Sequence, residues 1–578
     1  MSIVITGVGI ISAIGNNEAE VLNSLRNQKS GIDKMRYLHS EHDDLPVGEV
    51  KLSDDELKAQ LGLPQGQIVS RTTLLGAYAM KQALEKSGIT GCENKRIAVV
   101  SGTTVGGMDV TERYFAEMKD SDKHLDLLDK HDCGSSTLEM ADICGLKAEV
   151  CTISTACSSA LNAIIVGAEM LLSKEADIVI AGGSEALSKF HLNGFNTLMI
   201  LDKERCRPFD DTRAGLNLGE GAAYVVLQRG DDTTKCRAFI AGYANACDAF
   251  HQTASSPEGT GAYLAMTQSL QMAGLNSTDI QYVNAHGTGT PNNDITESTA
   301  IRRVFGETLP FISSTKSFTG HTTSASGSIE LVISLLAMEN GFVPSNLGWA
   351  NQIADGIVPS VGDINVDIHN VMCNSFGFGG NDSSLIISDT ISGHEQHCDD
   401  CEIEVIAECE INDTDQLKES KDIISPMESR RMGKLLKAAT LTSCQALKEA
   451  GIEKPDAIIT ATAYGMTENS EKFLNDICEN GESLLKPTLF MQSTHNTIGS
   501  SIAIRLGCHG YNITYTQGID SLNWALRDAR QLIRTGKAET VLVGYHDEST
   551  PLLNEFYARA GRIAPAMIYS HSIVLKKK

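Results

Sequence analysis

The chain has 578 residues, 42% hydrophobic and 21% charged, the composition of an ordinary soluble globular protein with room for several domains. Its formal charge of −25 argues against nonspecific nucleic-acid binding, because a phosphate backbone would be repelled. No apolar stretch is long and uncharged enough to span a bilayer, and the opening MSIVITGVGIISAIG lacks the basic start of a signal peptide, so a cytoplasmic chain with reduced cysteines is expected.

Residues 3–7, IVITG, read as a strand closed by glycine, and Glu18 to Leu25 as the start of a helix. Thr72 to Gly88 is a helix ending at glycine, and Arg96 to Ser101 is a strand running into the Gly106–Gly107 turn. At Val150 to Leu172, VCTISTACSSALNAIIVGAEMLL, a β-branched run stops at a cysteine and a helical pattern begins, with Leu161, Ile164, Ile165, Ala168, Leu171 and Leu172 on one face. Cys157 therefore sits on a strand-to-helix turn, where unpaired N–H groups and positive potential favour thiolate over thiol. A nucleophile is one reading and a small buried hydrophobe the other. A strand from Asp177 to Ala181 follows, closed by Gly182–Gly183. The alternation of strands and helices predicts a layered α/β fold. Lys203, Arg205, Arg207 and Arg213 are a candidate basic patch for an acidic protein partner, or charges scattered on a solvated face.

From Cys236 to Asp389 the chain carries a strand-like Ile280 to Asn284, a Gly/Thr-rich loop, and Ile312 to Ser314 leading to a helix buried along Ile329, Val332, Ile333 and Leu336. Asn374 to Gly380, NSFGFGG, reads as a glycine-rich loop before a last strand, Ser384 to Ile387. Residues 391–401, ISGHEQHCDDC, lose the apolar pattern and read as a linker; His394, His397, Cys398 and Cys401 have zinc-like spacing, but a flexible linker has nothing to fix the ligands, so no metal is expected. Beyond it the pattern restarts. Gln445 to Ile452 nearly repeats Gln82 to Ile89, and Ala538 to Gly544 echoes Ala176 to Gly182, a period that implies a duplicated domain.

Two histidines stand in similar settings, His286 in NAHGTGTP and His321 in STKSFTGHTTSASG. The small residues around them let an extended substrate approach the backbone. With a cysteine at a helix start they point to a nucleophile-plus-histidine site.

VCTISTACSSA, VNAHGTGTP, STKSFTGHT and NSFGFGG occur in the order seen in elongating β-ketoacyl-acyl-carrier-protein synthases, and RPFDDTRAGLNLGEGAA, residues 207–223, resembles the segment before that family's mid-chain boundary. The resemblance covers residues 1 to about 390. It implies a thiolase fold, two similar α/β halves in αβαβα layers, divided here as 1–230 and 231–390 with a linker at 391–401. It also implies that Cys157 takes an acyl group from the carrier's phosphopantetheine, while His286 and His321 bind the malonyl thioester oxygen and support decarboxylation. Phe378 matches a gate and, with Cys157, an oxyanion hole; Lys316, Glu330, Asp294 and Glu297 match the supporting polar network; Thr288 and Thr290 match contacts to the phosphopantetheine arm. The implied partners are acyl carrier protein and a second synthase-like subunit, in a homodimer or with a synthase-like chain, and no bound cofactor is implied.

The chain departs from the family at Ser324 and Ser326, where Gly and Ala are usual, and at Asn381–Asp382 after GFGG, leaving chain length and substrate preference open. Residues 402–578 resemble truncated, chain-length-factor-like synthase domains, with Gly518 or Ile519 in the place of the cysteine and no counterparts of the histidine loops. Such a half-fold is expected to be non-catalytic and to associate with a synthase surface or with another tail, its deletion changing product length or oligomeric state but leaving Cys157 acylation intact. A thiolase using coenzyme A and a non-catalytic scaffold are the competing readings; Cys373 lies outside any thiolase motif, and intact Cys157, His286 and His321 oppose a scaffold role for residues 1–390.

Overall fold

A computed structural model describes residues 2–89, 94–230, 236–391 and 401–578. Most of the proposed 391–401 linker, with His394, His397 and Cys398, lies outside the described residues. The first α/β half contains β1 (Ser2–Ser12), β2 (Ile97–Gly102), β3 (Glu149–Ile153), β4 (Ile178–Glu185) and β5 (Gly221–Gly230). The second contains β6 (Ala238–Cys247), β7 (Tyr282–Asn284), β8 (Phe311–Ser313), the short ribbon β9 (Phe342–Val343) and β10 (Ile364–Asn365), β11 (Asn370–Gly377) and β12 (Asn381–Ser388). The tail contributes β13 (Ile403–Ile411), β14 (Ala457–Ala461), β15 (Tyr511–Tyr515), β16 (Thr540–Glu548) and β17 (Ile568–Lys577).

Two helices form the middle of the first unit. Helix Ser159–Leu172 is buried along its whole length and packs on β2 and β4 of the first half and β12 of the second. Helix Ser326–Glu339 lies against it and touches β5 and β11. Helices Arg71–Ser87 and Thr260–Ala273 cover the outer faces, on β1 and β5 and on β6 and β12. Helices buried around their whole circumference belong between two sheets, and the αβαβα layering follows.

Several glycines serve packing rather than turns. Gly182 and Gly183 lie inside β4 instead of closing it: a Cβ on Gly182 would meet the Ala223 carbonyl at 2.0 Å, and one on Gly183 the Ala160 methyl at 2.6 Å. The IVITG strand likewise continues to Ser12, with a register shift after Ile5. NSFGFGG is mostly strand, since β11 runs to Gly377 and only residues 378–380 turn, with φ of 86° and 77° at Gly379 and Gly380.

The tail repeats the first half in mirror order: β13-β17-β16-β14-β15 faces β3-β2-β4-β5-β1 across a junction in one sheet. There Tyr515 pairs with Ile153 antiparallel, Ser154 N–H donates to the Thr514 carbonyl (3.0 Å), and Thr516 N–H donates to the Thr152 carbonyl (2.9 Å). The reciprocity of these bonds makes the junction a local two-fold. The sequence repeat marks equivalent places, for Gly88 and Gly451 end their helices at φ of 63° and 68°. Among the described residues no helix is long and apolar enough to cross a membrane.

Candidate active site

β3 ends in a tight turn, Ala156–Ser158, before helix Ser159–Leu172. Ala156 adopts φ of 53°, a left-handed conformation that costs a residue with a Cβ about 1–2 kcal/mol. Ser159 clamps the turn, its Oγ accepting from Thr155 N–H (2.9 Å) and donating to the Ala156 carbonyl (2.6 Å). Cys157 at the apex is 5% exposed.

His321 reaches Cys157 from the loop before helix Ser326–Glu339, with Nε2 3.1 Å from Sγ. Its Nδ1 faces the Ser326 hydroxyl at 2.9 Å, which in turn meets Thr322 Oγ1 at 3.2 Å. The His286 ring stands edge-on to that of His321, centroids 5.4 Å apart. Behind His286, Lys316 Nζ lies 3.4 Å from Nδ1 and donates to Glu330 Oε1 at 2.6 Å.

Charge at this site is set by burial. Burial, then the Lys316 charge, holds both histidines well below their ordinary pKa, so both are neutral imidazoles near pH 7. Burial also pushes the Cys157 thiol up to about 11, against the Lys316 charge and the N–H groups of Phe378 and Cys157. The helix start thus does not leave a resting thiolate, contrary to the expectation from sequence, because desolvation outweighs it. Burial raises Glu330 to about 7, opposed by Lys316, and Glu297 to about 7, opposed by the backbone N–H groups it accepts.

The Phe378 and Cys157 N–H groups converge on Sγ. The Phe378 ring stacks on Phe195 with centroids 5.8 Å apart. Thr288 and Thr290 share a hydroxyl hydrogen bond (2.9 Å) and line, with Cys157, His286, His321 and Phe378, a cavity of about 330 Å³. Glu297 and Asp294 lie beneath the cavity wall: Glu297 accepts from His286 and Gly287 N–H, and Asp294 from Phe209 and Gly289 N–H. They shape the loop that carries His286. The Cys157, His286 and His321 donor atoms lie within 4.8 Å of one another, a set that could ligate zinc, but the Lys316 ammonium stands behind His286 where a metal-bound imidazole needs an acceptor.

The basic cluster is not a free patch. Arg207 is engaged by Glu204, Asp202 and the Thr212 carbonyl, Lys203 by Asp44, and Arg213 by the Pro291 carbonyl beside Asp294; Arg205 is exposed. Cys373 sits in β11 with its thiol on Ser334.

The departures from the family pattern have partners. Ser324 Oγ donates to Glu185 Oε2 at 2.5 Å, Ser326 meets His321, and Asn381 Nδ2 meets Ser500 Oγ of the tail at 3.3 Å. Sequence reasoning missed Asn496, whose side-chain amide donates to the Phe378 carbonyl (2.9 Å). A Cβ on Gly379 would strike Ser500 Oγ at 2.1 Å. Helix Thr497–Leu506 is thus built against the turn that carries Phe378, so the expectation that deleting the tail leaves acylation intact does not fit this packing.

The tail has its own elbow. Gly518 takes φ of 56°, and Ser521 Oγ accepts from Gln517 N–H (2.7 Å) and donates to the Gly518 carbonyl (2.6 Å), as Ser159 does in the first unit. Gly518 therefore corresponds to Ala156 and Ile519 to Cys157.

Residues 1–233 match the family described as "Beta-ketoacyl synthase, N-terminal domain", residues 237–350 the matching C-terminal domain, and residues 407–576 a second N-terminal-domain family of the same description. The chain is 31% identical over 416 residues to 3-oxoacyl-[acyl-carrier-protein] synthase 2 of Vibrio cholerae, covering 66% of this chain and 98% of that protein. A solved ketosynthase in complex with its chain length factor, from Xenorhabdus doucetiae, is 30% identical with a TM-score of 0.60, covering 67% of this chain and 98% of that one. The PfaC keto synthase-chain length factor covers 100% of this chain and 78% of its own, with a TM-score of 0.80 at 17% identity, a likeness of fold.

Proposed function

The chain belongs to the β-ketoacyl synthase family, and we propose that it is a 3-oxoacyl-[acyl-carrier-protein] synthase that elongates an acyl chain in fatty acid or polyene-type polyketide synthesis, with a non-catalytic tail. The observation that carries this reading is the convergence of His286, His321 and two backbone N–H groups on the Cys157 cavity.

In the first half-reaction the Cys157 proton passes to His321 Nε2, 3.1 Å away, and the thiolate attacks the acyl thioester. The carbonyl oxygen becomes an oxyanion between the N–H groups of Cys157 and Phe378, the carrier thiolate leaves, and it takes the proton from His321. In the second, the malonyl carboxylate departs as CO2 and charge builds on the thioester oxygen. Two neutral imidazoles donating from Nε2 stabilise that enolate. This tautomer requires a donor behind each Nδ1: Lys316 supplies it to His286 and the Ser326 hydroxyl to His321. Because a hydroxyl can donate or accept, Ser326 also serves the tautomer in which His321 Nε2 is the base. The enolate carbon then attacks the Cys157 thioester and expels the thiolate, which is protonated from solvent.

No step draws on a bound cofactor; phosphopantetheine arrives with the acyl carrier protein, past Thr288 and Thr290. The tail supplies the synthase-like partner within the chain, and the free thiols of all described cysteines suit a cytoplasmic setting. The test is to incubate the protein with acyl- and malonyl-carrier protein and weigh the products. A 3-oxoacyl-carrier species two carbons longer than the primer supports the reading; malonyl-carrier left intact, with no extended species, refutes it.

A further inference from the structure

The duplication creates two equivalent spaces, one behind each elbow, and they differ in what fills them. Behind Cys157, aromatic rings occupy the space: Phe490 of the tail packs on Phe190 and Phe195 with centroids 5.9 and 5.4 Å apart, and Phe195 stacks on Phe378. Behind Ile519 the space is open. A cavity of about 300 Å³ lies between helix Met108–Asp120 of the first unit and helix Thr467–Asn480 of the tail, at the lower end of the size range of ligand pockets. Phe115, Met118, Leu474 and Phe556 give it an apolar wall, and each is at most 5% exposed. Ile519, 84% exposed, stands at its mouth.

We propose that this cavity is a second, non-covalent site for an unbranched acyl chain presented as an uncharged thioester. The elbow keeps the backbone that seats an acyl group at Cys157 but carries Ile519, which cannot bond it, so a chain enters and is retained by apolar contact alone. The polar lining selects the head group. Asp132 and Glu471 lie on the wall, burial pushing the Asp132 carboxyl up to about 7 and raising that of Glu471, while Asp129 is paired with Arg562 at 2.6 Å; no Lys or Arg is among the lining residues. A free carboxylate would lose its hydration there with no lining cation to pair it, a cost that an uncharged thioester does not bear.

The test uses full-length protein with Cys157 carboxamidomethylated, so that binding is read without acyl transfer and the second site is identified as the binding that a filled second cavity removes. Decanoyl-pantetheine, titrated calorimetrically, should bind saturably with one equivalent that depends on the second cavity, and decanoate should bind there roughly tenfold more weakly. Ser470→Trp, which fills the cavity from the tail helix, should weaken the thioester by at least about tenfold while unblocked protein still acylates Cys157. Should that variant fail to fold by circular dichroism, Ser135→Trp enters the same space from the first unit and is read in its place. Non-saturable binding, or binding untouched by the filled cavity, overturns the site. Decanoate binding as tightly as the thioester overturns the head-group assignment. The readout is binding, so it stands apart from whether the protein condenses malonyl thioesters.

Discussion

At Ala156–Cys157 and at Gly518–Ile519 the chain makes the same turn, with φ of 53° and 56° before the apex and a serine clamping each, yet Cys157 is 5% exposed and Ile519 84%. The elbow is held by its own strand, serine and helix. Its chemistry is not, because burial of Cys157 comes from the second half: the histidine loops and the Phe378 turn close over it, and residues 402–578 carry no counterparts of these loops. A nucleophile elbow is thus a local structure, and a condensing site is a property of two halves.

The strongest way to break this contrast is at the apex. Cys157→Ala should lower condensation by at least on the order of 10⁴-fold while leaving some malonyl decarboxylation, since that step uses the histidines. Ile519→Cys should gain no carrier-dependent acylation, read by intact-protein mass. Acylation of Ile519→Cys at a rate near that of Cys157 would show that the elbow alone suffices.

Removing the tail is the next largest change. A chain ending near Asp389 bares the β3 edge and loses Asn496 from the Phe378 carbonyl. We expect self-association, seen by light scattering, and slower Cys157 acylation. A monodisperse truncated protein with unchanged acylation would mean that the tail only docks.

The state of Cys157 gives a pH signature. A thiol whose pKa burial has raised to about 11 gains thiolate about tenfold per pH unit between pH 7 and 10, so iodoacetamide alkylation should climb through that window. A plateau near neutrality would instead reveal a thiolate–imidazolium pair. Ser326→Ala removes a partner of His321 Nδ1 worth about one hydrogen bond, and should slow both acylation and decarboxylation by roughly 3- to 10-fold without unfolding the protein.

The smallest effects concern the turn itself. Gly518→Ala imposes the strain that Ala156 already bears and should cost about 1 kcal/mol in urea denaturation. Ala156→Gly should change stability less, because relief of strain is offset by loss of a buried methyl worth about 0.8 kcal/mol. Equal and opposite shifts would mean that strain alone sets both turns and that the buried Ala156 methyl contributes nothing.

Cys157, His286 and His321 were legible in sequence because small-residue motifs around a reactive side chain are dictated locally. The choice between Gly518 and Ile519 was not: both glycine and alanine hold the left-handed position, and only the Ser521 clamp fixes which residue is the apex. Glycine misled twice, at Gly182–Gly183 and in NSFGFGG, where it marks close backbone approach within strands. Asn496 carried no signal, since its partner lies 118 positions away across a docked surface. The neutral thiol was invisible for a related reason, as desolvation depends on everything packed above the turn.

The β3–β15 junction joins two copies of a half-fold that are segments of one polypeptide. Such a tether holds the two faces at an effective concentration on the order of millimolar, whatever the dilution of the protein. Melting should therefore be independent of protein concentration, unlike that of an obligate homodimer. The same tether sets the stoichiometry, for each folded unit owns one reactive thiol at an elbow and a fixed, unexchangeable neighbour, so mixed assemblies that would blur the product cannot form by subunit exchange across this junction.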